Sequence, residues 1–195
     1  MAGNGCGLVE RERSCLLVID VQQYFIDKLP APERGPLVGR IGWLMRMARL
    51  LEIPVLATAE NIARNGPLLP ELAELLPAGT AAFDKMIFGL MGQDDIRTAV
   101  DATGRDTFVL VGLETDVCIA QSALGLAAAG GRAVVVDDAS ASPPPHHAHG
   151  LRRLRDAGIT VTSVKGIFYE WMRDLATYRR LEPQMNMALP EGLTL

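Results

Sequence analysis

The sequence predicts an α/β protein: a three-layer domain in which helices cover both faces of a roughly six-stranded, mainly parallel sheet. Three observations carry this. Short apolar runs rich in Val, Ile and Leu alternate with amphipathic or Ala-rich stretches from near residue 14 to residue 180. Each strand-like run is too short and too uniformly apolar for a sheet with one wet face, as expected for parallel strands buried on both sides. No internal repeat, low-complexity tract or linker divides the 195 residues, so one domain spanning 1–195 is expected, with 1–13 and 182–195 as terminal arms.

In chain order, SCLLVID (14–20) reads as a buried strand ending in an acid. Leu37, Val38, Ile41, Leu44, Met45, Ala48 and Leu51 share a helical stripe, and PVLAT (54–58) returns to a strand. The breakers in ENIARNGPLLPEL (60–72) predict a loop, and TAAFDK (80–85) a short strand that delivers Lys85. DDIRTAVDAT (94–103) is an amphipathic helix and DTFVLVG (106–112) a strand. TDVCIAQSALGLAAAGG (115–131) is a helix stopped by two glycines, with Thr115 as a candidate N-cap. RAVVVDD (132–138), HHAHGLRRLRDAG (146–158), ITVTSV (159–164) and GIFYEWMRDLATYRR (166–180) complete the alternation as strand, helix, strand and helix. Such a Rossmann-like order places a site outside the strands' carboxyl ends.

Composition excludes several classes of function. The chain is 49% hydrophobic and 22% charged, which suits a globular core. Acidic residues outnumber basic ones 23 to 19, giving a net charge of -4, and no basic stretch could track a phosphate backbone, so nucleic acid is not an expected partner. The N-terminus lacks a signal-peptide pattern and Leu16–Ile19 is too short to span a bilayer, so no membrane association and a cytoplasmic location are expected. The turn after the first strand reads DVQQYF, without glycine, and no phosphate-binding GxGxxG or GxxxxGK[ST] follows any predicted strand.

What occupies the strand ends instead is reactive: Asp20, Lys85 and Cys118. Alone, Cys118 would read as a small buried hydrophobe, Asp20 as a turn residue and Lys85 as a surface cation. Together, at the ends of three strands, they form a nucleophile with a base and a counter-charge. Placement in the first turn of a helix, beside an ammonium, would favour the thiolate. Cys6 and Cys15 have no partner in sequence, and an odd cysteine count argues against a disulfide framework. His146, His147 and His149 point in different directions on a helix and read as an exposed helix start rather than a metal site.

LLVIDVQQYF (16–25), FDKMIFG (83–89) and VLVGLETDVCIAQSALGLAAAGGRAVVVDDAS (109–140), in this order, resemble the isochorismatase-like superfamily of cysteine hydrolases. The resemblance implies that Asp20 is the proton acceptor, Lys85 the charge partner and Cys118 the nucleophile. It further implies a cis peptide between Leu113 and Glu114, and an oxyanion hole from the backbone amides of Glu114 and Cys118. The reaction it implies is thiolate attack on a small amide or related C–N bond, through a thioester hydrolysed by water. Residues 58–72 contain no histidine, so the metal that nicotinamidases of this superfamily hold there is not expected, nor any other cofactor. Phe25 and Phe88 flank the Asp20 and Lys85 segments and are expected to line the substrate pocket, with Asn61 as a polar contact. A homo-oligomer acting on a small molecule is implied by the family alone. Two rivals remain open: an ether hydrolase of the isochorismatase type, which needs no cysteine, and a non-catalytic metabolite binder.

Overall fold

The computed structural model of the protein describes residues 7–185 and 188–195; Cys6 and the start of the expected N-terminal arm lie outside these, as do 186 and 187. Six strands form one all-parallel sheet in the order β3-β2-β1-β4-β5-β6. They are β1 (Ser14–Ile19), β2 (Val55–Glu60), β3 (Phe83–Lys85), β4 (Thr107–Leu113), β5 (Arg132–Ala141) and β6 (Thr160–Thr162). The helices are α1 (Gln23–Ile26), α2 (Ala31–Leu50), α3 (Ile62–Asn65), α4 (Pro70–Ala73), α5 (Asp94–Ala102), α6 (Ala120–Ala128), α7 (His146–Asp156), α8 (Val164–Met172) and α9 (Leu175–Leu181). None of the described helices is long and apolar enough to cross a membrane.

The central strands β1 and β4 are buried along their whole length, which explains their unbroken apolar sequence. Successive side chains of β1 serve opposite layers. Leu16 and Val18 join a core with Ile41, Leu44 and Met45 of α2 and with Phe168 and Trp171 of α8. Cys15, Leu17 and Ile19 join a second core with Ile96 of α5, Ala123 and Leu126 of α6, and Leu151 and Leu154 of α7. Trp171 also donates its indole N–H to Ser14 Oγ at 3.0 Å, tying α8 to the start of β1. Val9 and Leu193, near the two ends of the chain, are buried in the larger of these cores.

Three local expectations change. The segment 60–72 is not a bare loop: β2 runs on to Glu60, and α3 and α4 follow. Buried Gln22 holds this stretch, donating to the carbonyls of Glu60 (2.9 Å) and Gly66 (2.6 Å) and accepting from the Glu60 N–H (2.6 Å). These partners lie 38 and 44 residues away, beyond the reach of local pattern. The helix expected over 166–180 breaks at Arg173, whose φ of 68° is left-handed, and restarts at α9 with Asp174 accepting from the Thr177 N–H at 2.7 Å. The helix expected from Thr115 begins as a π-helical turn, Thr115–Ile119, before α6; no Thr115 cap forms there.

The direction of strand order changes between β1 and β4. That topological switch point is where the first crossover segments diverge and leave a crevice outside the carboxyl ends.

Candidate active site

Four strands deliver side chains to that crevice. Asp20 follows β1 with φ 52°, Glu60 ends β2, Lys85 ends β3, and Cys118 sits in the π-helical turn after β4. Glu60 and Lys85 are register partners across the β2–β3 pair, so two neighbouring strands present opposite charges side by side.

At the end of β4 the backbone makes an approach that only glycine permits. Gly112 has φ 119°, and a Cβ there would lie 2.0 Å from the Ile19 carbonyl oxygen. The next peptide but one, Leu113–Glu114, is cis. The Ile119 and Val117 N–H groups both reach the Glu114 carbonyl, at 3.1 Å, which closes the π-helical turn around Cys118. Helix α7 packs on this turn at Gly150, where a Cβ would meet Asp116 Cα at 2.8 Å.

The structure brings Asp20, Lys85 and Cys118 together. Lys85 is wholly buried, and its Nζ lies 2.9 Å from Asp20 Oδ2 and 3.6 Å from Cys118 Sγ, while donating to the Ile87 carbonyl at 3.0 Å. Asp20 Oδ1 accepts from the Thr58 hydroxyl at 2.8 Å. Oδ2 is buried and has the Lys85 ammonium as its close polar neighbour. Burial raises the proton affinity of Asp20 above the ordinary carboxylate range, against the opposing pull of Lys85 and the Thr58 hydroxyl.

The surroundings of Cys118 oppose the expected thiolate. Burial pushes the Cys118 thiol far above the usual range, the Asp20 charge adds to this, Lys85 opposes it, and Glu60 raises it further. Helix amides and an ammonium favour a thiolate, but desolvation and a second carboxylate work against it. The thiol points at that carboxylate, donating to Glu60 Oε2 at 3.4 Å. Glu60 was the residue missed. Extending the second strand by two residues in the sequence would have placed it at a carboxyl end. Cys15, by contrast, is a buried strand residue that burial pushes up to about 12 and whose Sγ lies 3.8 Å from the Leu16 carbonyl.

The ligand atoms of Asp20, Glu60 and Cys118 lie within 4.8 Å of one another, a spacing that could hold a metal. The Lys85 ammonium stands among them, 3.9 Å from Glu60 Oε2, and a dication would have to share that space with it. The donor set therefore fits the lysine better than an ion.

The other predicted residues fall at varied positions. Phe25 is buried, with Lys28 Nζ 4.4 Å from its ring centroid. Phe88 is 51% exposed beside exposed Met86 and Ile87. Asn61 has φ 43° and uses its backbone N–H to bond the Lys85 carbonyl at 3.0 Å. His147 is more than an exposed helix start: its Nδ1 is 2.8 Å from the buried Thr115 hydroxyl and its Nε2 is 3.0 Å from Asp137. It links the turn that carries Cys118 to β5.

The fold is that of an α/β protein with a site at the carboxyl ends of its strands, and the family model for the isochorismatase domain matches residues 14–166. The chain belongs to the isochorismatase family. It is 30% identical over 168 residues to the secreted isochorismatase effector Isc1 of Phytophthora sojae, covering 83% of this chain and 78% of that one. Among solved structures it superposes on YcaC from Pseudomonas aeruginosa, determined with hexane-2,5-diol and covalent acrylamide, with a TM-score of 0.80, 23% identity and coverage of 95% and 100%. YcaC from Escherichia coli, described as an octameric hydrolase of unknown specificity, gives a TM-score of 0.80 at 21% identity, covering 94% of this chain and 95% of that one.

Proposed function

We propose that this protein is a metal-independent cysteine hydrolase that cleaves a small amide or related C–N bond, with Cys118 as nucleophile, Asp20 as proton acceptor and Lys85 as charge partner. The observation that carries the reading is the buried contact of Lys85 with both Asp20 Oδ2 and Cys118 Sγ, at 2.9 and 3.6 Å. A thiol, a base and a cation in one dry crevice suit nucleophilic catalysis and little else.

The thiol proton passes to Asp20 as sulfur bonds to the substrate carbonyl carbon, and the oxyanion is received by the backbone N–H groups of Glu114 and Cys118. The C–N bond then breaks, and protonated Asp20 returns the proton to the departing amine, leaving a thioester. Water attacks the thioester, its proton going to Asp20. Collapse releases the acid, and the sulfur regains a proton from Asp20. The raised proton affinity of Asp20 suits a group that must accept and return a proton at neutral pH. The same property favours one second reading, an ether hydrolase in which protonated Asp20 is the acid and Cys118 is dispensable.

Screening small amides for amine release, with Cys118→Ala beside the wild type, separates the two. Loss of turnover by at least about 10³-fold is expected for the thioester route, in line with removal of a catalytic nucleophile. Full activity of Cys118→Ala on any substrate found would overturn it. Following the octameric description of the Escherichia coli relative, we also propose a homo-oligomer, to be read by light scattering; a monomer at micromolar concentration would refute that.

A further inference from the structure

Glu60 has no part in the steps above, yet it is the acceptor of the Cys118 thiol. We propose that Glu60 sets the charge preference of the site, admitting neutral or cationic amides and rejecting those with a carboxylate beside the scissile bond. This rests on Cys118 being the nucleophile.

The charges around Sγ do not balance. Lys85 contacts Asp20 at 2.9 Å, and both side chains are at most 1% exposed, so that pair is closed to solvent and matched. Glu60 Oε2 lies farther from the ammonium, at 3.9 Å, and its side chain is 21% exposed. Of the two carboxyl groups and one amine around the sulfur, the carboxyl of Glu60 is therefore the one that an entering molecule meets. Several charges on the adjoining segments are already engaged with partners of their own. Lys28 and Glu114 pair with each other at 3.4 Å, and Asp116 accepts from Ser142 Oγ at 2.7 Å with His146 at 3.9 Å.

Glu60 is also held in place. Gln22 clamps its N–H and carbonyl, and Asn65 Nδ2 donates to the carbonyl at 3.0 Å and lies 3.4 Å from Oε1. A fixed acceptor 3.4 Å from the nucleophile can take the N–H of a primary carboxamide, or an ammonium group, lying against the sulfur. A carboxylate in that position would face a like charge at close range, with the buried Lys85 already engaged by Asp20.

Matched thiol reagents test this without a known substrate. Cys118 is labelled in the intact protein with iodoacetamide or iodoacetate, and with aminoethyl or sulfonatoethyl methanethiosulfonate, and the rates are read by peptide mass spectrometry. Alkylation forms S–C and expels iodide; the thiosulfonates form S–S and expel sulfinate. Every reagent meets the same thiolate population, so ratios between reagents cancel it and report local charge. The cation-to-anion and neutral-to-anion ratios should exceed those of a small free thiol by about tenfold or more at low salt, and shrink as salt screens the exposed carboxylate. Glu60→Gln should bring them back to the free-thiol values, and Glu60→Asp should retain most of the bias. Labelling of Cys118 with ratios indifferent to Glu60→Gln overturns the charge role and leaves the nucleophile standing. Failure of every reagent to label Cys118 in the folded protein defeats both.

Discussion

Replacing Lys85 by Met keeps the volume of a wholly buried side chain and removes its charge. At 2.9 Å from Asp20, the lost attraction is about 6 kcal/mol at an effective dielectric of about 20. Measured losses on breaking buried pairs are about 3–5 kcal/mol, because the stranded partner relaxes or takes up a proton. Asp20 can do the latter, since burial already raises its proton affinity. The sign of the pH dependence follows. A carboxyl whose folded pKa is raised holds a proton that the unfolded chain has released, so its contribution to stability is complete below the unfolded carboxylate pKa, near 4, and is lost as pH rises through the folded pKa. Without Lys85 that upper limit moves higher. The stability of Lys85→Met should therefore keep falling by about 1.4 kcal/mol per pH unit over a range where the wild type has levelled. Urea unfolding at half-unit steps from pH 5 to 9 measures this, with Lys85→Met/Asp20→Asn as control, in which the slope should vanish. A pH-independent gap between Lys85→Met and wild type would refute the assignment of a shielded, proton-hungry Asp20.

Two further substitutions probe the scaffold of the site. Gly112→Ala forces a Cβ to within 2.0 Å of the Ile19 carbonyl at a φ of 119°, and should cost more than about 4 kcal/mol; a soluble variant with wild-type thermal unfolding would contradict the β1–β4 approach. His147→Ala leaves the fully buried Thr115 hydroxyl without its imidazole partner and should cost about 1–3 kcal/mol. His147→Asn, which can place an amide near the old Nδ1, should recover part of that loss in urea unfolding; equal losses in both variants would argue against the bond.

What could be read from sequence follows the range over which each signal acts. Asp20, Lys85 and Cys118 were visible because each stands at or just beyond a short apolar run, and the alternation of runs already implies that such ends converge. Glu60 was hidden by a strand read as stopping at Thr58; only the register that sets Glu60 against Lys85 reveals its role. His147 was misjudged for the same reason, since its partners lie on β5 and on the turn after β4. The π-helical turn gives no compositional sign, because TDVCIAQS suits an ordinary helix equally well. The surroundings of the thiol were the least legible feature: desolvation depends on what covers the sulfur, and local sequence does not record that.

A thiol that holds its proton tightly looks unfit to be a nucleophile, but the neighbouring carboxyl reverses the conclusion. Burial raises both Cys118 and Asp20, so each resists losing a proton to, or gaining charge from, the solvent. Moving the proton between them changes no net charge. It converts one buried carboxylate–ammonium contact into a thiolate–ammonium contact on the same Lys85. Over the pH range in which the pair holds one shared proton, the fraction with that proton on Asp20 is fixed by the site and not by the medium. The rate of Cys118 alkylation by iodoacetamide should therefore be nearly flat from about pH 7 to 9, whereas an isolated thiol below its pKa gains about tenfold per unit. Asp20→Asn removes that acceptor and should restore the steep rise, while Glu60→Gln, which removes the other carboxylate in contact with the thiol, should leave the profile flat. If the wild type already rises tenfold per pH unit through this range, the proton leaves to water, and Asp20 is not its acceptor.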